Sequence, residues 1–128
     1  MTPEFIPQTA FVSPASDGER SEDAVLFVHG FTEGPEQFRP MAAWVNALGL
    51  DAVALSLPGH GGTADDFARS GRRAWEECVF GETDRLLTLY RRIVVAGHSM
   101  GGLLAVRAAL RRADGVAGVV CIGCPLHV

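Results

Sequence analysis

The chain has 128 residues, 48% of them apolar and 20% charged, a balance that fits one globular domain with a real core and excludes a disordered chain. Its formal net charge of −4 gives no electrostatic reason to hold nucleic acid or an anionic membrane. No apolar run approaches the ~18 residues of a membrane span, Met1-Thr2-Pro3-Glu4-Phe5 lacks the order of a secretory leader, and three cysteines make no disulfide framework, so a reduced, cytoplasmic setting is expected.

Residues 1–22 are rich in Pro, Ser and acids, with only Ala10-Phe11-Val12 reading as a short strand. Ala24-Val25-Leu26-Phe27-Val28 is a continuous apolar run, the pattern of a strand covered on both faces. It ends at His29-Gly30. Gly34-Pro35 opens a helix, because proline suits a first turn. Phe38, Met41, Ala42, Val45 and Leu48 recur at helical spacing before Gly49. A second buried strand, Ala52 to Leu57, stops at Pro58-Gly59-His60-Gly61-Gly62.

The polar stretch Thr63 to Gly71 reads as loop or a frayed turn, and a helix runs from about Ala74 to Leu89 with Trp75, Cys78, Val79, Leu86 and Leu87 near one face. Ile93-Val94-Val95-Ala96 is a third strand. It leads into Gly97-His98-Ser99-Met100-Gly101, and Gly101 to Leu110 is a further helix. Val116 to Ile122 is the fourth strong strand. Strands alternating with helices predict right-handed βαβ crossovers and a mainly parallel sheet. In such sheets the crevice lies beyond the carboxyl ends of the strands, where His29, Pro58 and Ser99 fall.

A G-x-S-x-G between a strand and a helix places its serine on a tight turn, with the hydroxyl lifted above the sheet and the next amide aimed at it. Side chains at Gly97 or Gly101 would crowd that turn. The Met100 amide lies at a helix start, where free N–H groups favour an oxyanion. Phe31, in the loop after the first strand, is the second candidate amide.

Together, His29-Gly30-Phe31, Leu57-Pro58-Gly59-His60-Gly61 and Gly97-His98-Ser99-Met100-Gly101-Gly102 resemble the amino-terminal half of an α/β-hydrolase. Val28-His29-Gly30-Phe31-Thr32 and the ending Val120 to Leu126 are most similar to the small carboxylesterases and monoacylglycerol lipases. The resemblance runs from about Phe11 to the last residue. It implies a three-layer α/β fold with a mostly parallel sheet, forming a single domain over residues 1–128 that is incomplete at the carboxyl end.

It further implies Ser99 as nucleophile and the backbone amides of Phe31 and Met100 as oxyanion hole. His29, Gly30, Gly97, His98, Gly101 and Gly102 would give structural support. No metal or cofactor is implied. The acid and base of the family follow at the ends of two later strands, and this chain stops one strand short of the first. The expected activity is therefore hydrolysis of a small acyl ester through an acyl-enzyme. Thioesterase, lactonase and perhydrolase chemistry use closely similar sites. The rival reading is a non-catalytic truncated or split chain that needs a second segment.

Other chemistry-bearing residues read as structural. His98 should point away from the serine site, while His29 and His60 should brace loops; His127 at the tail is a weak candidate base. Cys121 and Cys124 have C-x-x-C spacing but close a strand rather than open a helix, so they read with Cys78 as buried small side chains. Asp65 and Asp66 read as solvated carboxylates, and Trp75 as core at a helix start. The strand Val116–Ile122 is apolar on both faces with no charge or proline. Left at a sheet edge, it is expected to recruit a second copy or a complementing chain.

Overall fold

The computed structural model describes residues 8–16, 18 and 21–125; His127 and the first residues of the chain lie outside them. The apolar runs form strands β1 (Phe11–Ser13), β2 (Asp23–Val28), β3 (Asp51–Ala54), β4 (Arg92–His98) and β5 (Val116–Ile122). Helices α1 (Arg39–Ala47), α2 (Ala64–Arg69), α3 (Arg72–Leu87) and α4 (Met100–Arg111) connect them. The sheet order is β1-β3-β2-β4-β5. Only β1 runs antiparallel, against β3; β2 pairs in parallel with β3 and β4, and β4 with β5.

This order makes β2 a switch point. The chain moves to one side through α1 to β3, then back past β2 through α3 to β4. Right-handed crossovers in opposite directions require helices on opposite faces. Accordingly α1 covers Val25, Phe27, Ala52, Ala54 and Ala96, with Phe38 and Ala42 packed on them. Helices α3 and α4 cover the other face, where Leu26, Val28, Val53 and Val95 meet Val79, Leu86, Leu104 and Ala105. Alternate residues of β2 thus face opposite layers, the physical reason for its uninterrupted apolar run. No helix among the described residues is long and apolar enough to cross a membrane.

Several local expectations need correction. The segment Thr63–Gly71 is not loop throughout: α2 forms there, closed by a capping box in which Thr63 Oγ1 accepts the Asp66 amide while Asp66 accepts the Thr63 amide. Asp66 is thus a helix cap, and Asp65 is exposed in the same first turn. Ahead of α1, Pro35–Phe38 is a 3₁₀ turn, because Pro40 has no N–H to continue an α-helical ladder through Glu36.

At the end of α1 the capping residue Leu48 is 78% exposed, and Asn46 is buried along with Ala42. The Asn46 amide donates to the Ser13 and Leu50 carbonyls, at 2.8 and 3.0 Å, tying β1 to the crossover. The strand expected over Ala52–Leu57 leaves the ladder after Ala54. Leu55 and Leu57 remain buried, for a reason that belongs to the site.

Between α3 and α4, Asp84 accepts from Arg111 and Arg112 at 2.8 and 2.7 Å. Those two guanidinium groups hold its carboxyl at about 2, below the ordinary 3.8. A carboxylate with a depressed folded value stabilises above its ordinary range and loses that contribution as the pH falls through the folded one. Asp84→Asn should therefore lower Tm at pH 7, by the modest amount typical of an exposed pair. The thermal curves of variant and parent should converge as the pH falls from about 4 to about 2. A Tm difference that persists at pH 2 would assign the effect to packing instead.

Candidate active site

The carboxyl ends of β2 and β4 lie side by side at the switch point, Val28 opposite Gly97. Beyond β2, the chain makes a four-residue turn in which Glu33 N–H donates to Gly30 O at 3.1 Å. Thr32 takes φ 61° at its third position, where a type II turn demands left-handed backbone. Beyond β4, Ser99 has φ 56° and ψ −124° between the strand and α4. A non-glycine residue is held there only by its surroundings.

Those surroundings are backbone. A Cβ on Gly97 would lie 2.2 Å from Gly101 O, and one on Gly101 would lie 2.1 Å from Val28 O. Neither can shift without moving a strand end. The Ser99 amide donates to Ile122 O at 2.9 Å, and Gly102 N–H returns to Ser99 O at 3.0 Å. The elbow is therefore bound to β5 on one side and packed on β2 on the other.

Met100 is the first residue of α4, and its N–H has no intrahelical acceptor. Phe31 N–H also has no acceptor among the described residues, whereas the next amide, Thr32, is taken by His60 Nε2 at 3.1 Å. The arrangement leaves two free donors from two segments beside one hydroxyl-bearing turn. Such donors stabilise charge that develops on a carbonyl oxygen, each worth ~3 kcal/mol in acyl transfer.

His29 and His60 brace this constellation. His29 is fully buried; its Nε2 accepts the Leu57 amide at 2.9 Å, so its Nδ1–H donates to Gly30 O at 2.9 Å. The ring stands in for a sheet bond, which is why β3 ends early while Leu57 stays buried. His60 uses Nε2 for Thr32 and Nδ1 for Pro58 O at 3.2 Å. Both rings join an aromatic cluster with Phe67 and Trp75: His60 contacts Phe67 at 5.1 Å and Trp75 at 5.5 Å.

Phe31, 53% exposed, lays its ring against Phe67 and Trp75. Trp75 is buried and donates to Pro58 O at 3.0 Å, so it serves both core and wall. Trp75, Met100, Leu103 and Leu104 line an apolar groove of about 310 Å³. A larger cleft of about 570 Å³ lies across the turn after β2, lined by Thr32 and Glu33, and Ser99 lines neither.

Sequence reasoning missed Glu33. Its carboxylate receives Gly30 N–H at 2.6 Å, His98 Nδ1–H at 2.8 Å and Gln37 Nε2–H at 3.0 Å. The only signal was an acid and an amide four apart beginning a helical run, Glu33 and Gln37, which reads equally well as two solvated side chains. Burial alone would raise the Glu33 pKa, but the Gln37, His98 and Gly30 donors outweigh it and leave the group below its usual range. His98 accordingly faces the turn at Gly30–Glu33. No imidazole among the described residues hydrogen-bonds Ser99 Oγ, and His127 lies outside them.

The cysteines depart from expectation. Cys121 is exposed, because it lies on β5 at the sheet edge; Cys124 and Cys78 are half-buried. Burial pushes the Cys78 thiol up, and likewise that of Cys124, helped by its neighbour Cys121.

A model of the alpha/beta hydrolase family matches residues 25–127. The chain belongs to that family. It is 32% identical over 110 residues to a thermostable monoacylglycerol lipase of Bacillus sp. (strain H-257), covering 86% of this chain and 44% of that protein. A carboxylesterase of Bacillus subtilis (strain 168) is 27% identical over 108 residues, with coverages of 84% and 43%. Among solved structures, a metagenome-derived lipolytic enzyme superposes with a TM-score of 0.83 at 28% identity, covering 94% of this chain and 47% of that one. The chain thus spans somewhat under half the length of the curated relatives it matches.

The His29 brace carries a pH signature. Burial pushes its pKa down, with His60 adding to this and the Gly30 carbonyl and Glu33 opposing. Its stabilisation is therefore present above the ordinary imidazole value of ~6.5 and lost as the pH falls below it. His29→Gln should cost about 1–3 kcal/mol at pH 7.5 by leaving buried partners imperfectly paired. Denaturant titrations should also show a flatter stability profile between pH 6.5 and 5 than the parent. An unchanged slope in that window would locate the titration elsewhere.

Proposed function

We propose that Ser99 is the nucleophile of a serine carboxylic-ester hydrolase, of carboxylesterase or monoacylglycerol-lipase type, with the Phe31 and Met100 amides as its oxyanion hole. The observation that carries this is the φ of 56° at Ser99, held on a strand-to-helix turn beside two free N–H groups. The relatives' names, a monoacylglycerol lipase and a carboxylesterase, support ester chemistry. The substrate class is a small acyl ester, its acyl part set against Met100 and the aromatic wall of Phe31 and Trp75.

In this reading Ser99 Oγ adds to the acyl carbonyl as a general base takes its proton. The carbonyl oxygen becomes an oxyanion held by the two amides, and the alcohol departs with a proton returned from the base. Water then adds to the acyl-enzyme through the same hole and releases the acid. His29, Gly30, Gly97, His98, Gly101 and Gly102 keep the two loops in place. The acid and base of the triad are not among the described residues.

We take residues 1–128 as one domain that supplies the amino-terminal half of the hydrolase fold, with acid and base contributed by a further segment. The coverages of 43–47% of the relatives support this. So does the open edge of β5, where Val120 is 47% exposed. That edge also favours the second reading, a chain that associates with a complementing segment or a second copy through Val116–Ile122. Solution mass separates the two: a stable monomer argues against association.

The test is labelling with a fluorophosphonate beside hydrolysis of a short-chain aryl ester. Ser99→Ala should abolish labelling and reduce turnover by at least about a thousand-fold in a protein that holds a full triad. With no imidazole bonded to Ser99 among the described residues, only a residual rate is expected from the chain by itself. Undiminished labelling of Ser99→Ala would overturn the assignment.

A further inference from the structure

We propose that Glu33 is a positioning residue that sets the separation of the two oxyanion amides, holding the Gly30–Glu33 turn against the nucleophile elbow through His98. This rests on the serine-hydrolase reading above. The two amides belong to different segments, Phe31 to the turn after β2 and Met100 to the first turn of α4. Local bonds shape each segment by itself: Glu33 N–H to Gly30 O in one, Gly102 N–H to Ser99 O in the other. Neither bond fixes one segment relative to the other.

Glu33 spans that gap. One carboxylate receives the Gly30 amide of its own turn at 2.6 Å and, at 2.8 Å, the ring of the residue immediately before Ser99. Gln37, one helical turn along, adds a donor at 3.0 Å and fixes the carboxylate plane. The far side of the His98 ring faces Gly123, at the end of β5. The side chains are only partly covered, 25% exposed for Glu33 and 36% for His98, so the pair is not a core filler. It is a strut between two loops whose spacing matters to the reaction.

An oxyanion hole acts only if its donors meet the developing charge, and a ~1 Å misplacement can cost ~100-fold in rate. Ground-state binding does not use that charge and should change little. Loss of Glu33 is therefore expected in kcat rather than in KM.

The test compares the parent with Glu33→Ala, Glu33→Gln, His98→Ala and Ser99→Ala. Amide hydrogen exchange is measured first, since it needs no turnover. Glu33→Ala should speed exchange at least tenfold both in the turn at 30–33 and in the elbow at 97–101. His98→Ala should do the same in the turn. Glu33→Gln keeps an acceptor for Gly30 and should fall between.

On an aryl ester, Glu33→Ala should lower kcat by 10- to 100-fold with KM within threefold, and weaken inhibition by a boronic acid in proportion to kcat. Exchange changes confined to 30–33, or kcat and KM moving together, would overturn the proposal. Full turnover in Ser99→Ala would overturn the hydrolase reading while leaving the exchange result standing. Loss of turnover in Ser99→Ala beside an unchanged kcat in Glu33→Ala would remove the positioning role alone. In a preparation without measurable turnover the exchange result decides.

Discussion

The contact on which the site depends is backbone against backbone: the start of α4 lies so close to the end of β2 that a methyl group at Gly101 would sit 2.1 Å from the Val28 carbonyl. Because β2 and β4 are parallel neighbours, their carboxyl ends reach the same height, and two loops leave from one place. The turn after β2 needs Thr32 left-handed, and the turn after β4 needs Ser99 left-handed. Each strained residue costs of the order of 1–3 kcal/mol and persists only because the neighbouring structure over-determines it. The buried strands supply that rigidity, with Leu26, Val28 and Val95 essentially inaccessible to solvent.

Around this contact, polar groups on side chains replace sheet bonds where the sheet stops. His29 closes the gap between β2 and the chain leaving β3, and His60 reaches back from that chain to Thr32. Each ring offers one donor and one acceptor, and both nitrogens of each are engaged. A histidine engaged at both nitrogens has no lone pair left for proton transfer. Two of the chain's four histidines are thereby spent on architecture, although both lie within the aromatic cluster beside Phe31.

Much of this was legible in the sequence because the signals are local and strong. Continuous apolar runs gave β2, β4 and β5, and the serine between two glycines gave the elbow. Where reading failed, a tertiary partner had decided the matter. The polar run at 64–69 lacks an apolar stripe, yet a reciprocal Thr63–Asp66 cap forms its helix. The strand through Leu57 looks continuous, yet His29, just beyond the end of β2, takes its last amide. Asn46 and Asp51 are buried because Ser13, Leu50, Ala15 and Tyr90 satisfy them across distances of up to 39 residues, which no window of sequence reveals. Glu33 was invisible for the same reason: its partner His98 is 65 residues away.

The elbow is also coupled to the least covered part of the sheet. β5 pairs with β4 along one edge and, through Ile122 O, holds the Ser99 amide; its other edge pairs with no strand among the described residues. Leu103, Val106 and Leu110 of α4 are exposed, and so is Val120 on the opposite face of the sheet, in register with Ala96. A strand bonded on one side only is freer to fray than β2, which is bonded on both. The carbonyl that fixes Ser99 therefore belongs to an element whose order depends on what covers it. Whatever packs on β5 would stiffen the Ser99 turn without touching it, whereas the turn after β2 is already clamped by His29 and His60. Of the two halves of the site, the one bearing the hydroxyl is thus the one tied to the open edge of the described sheet.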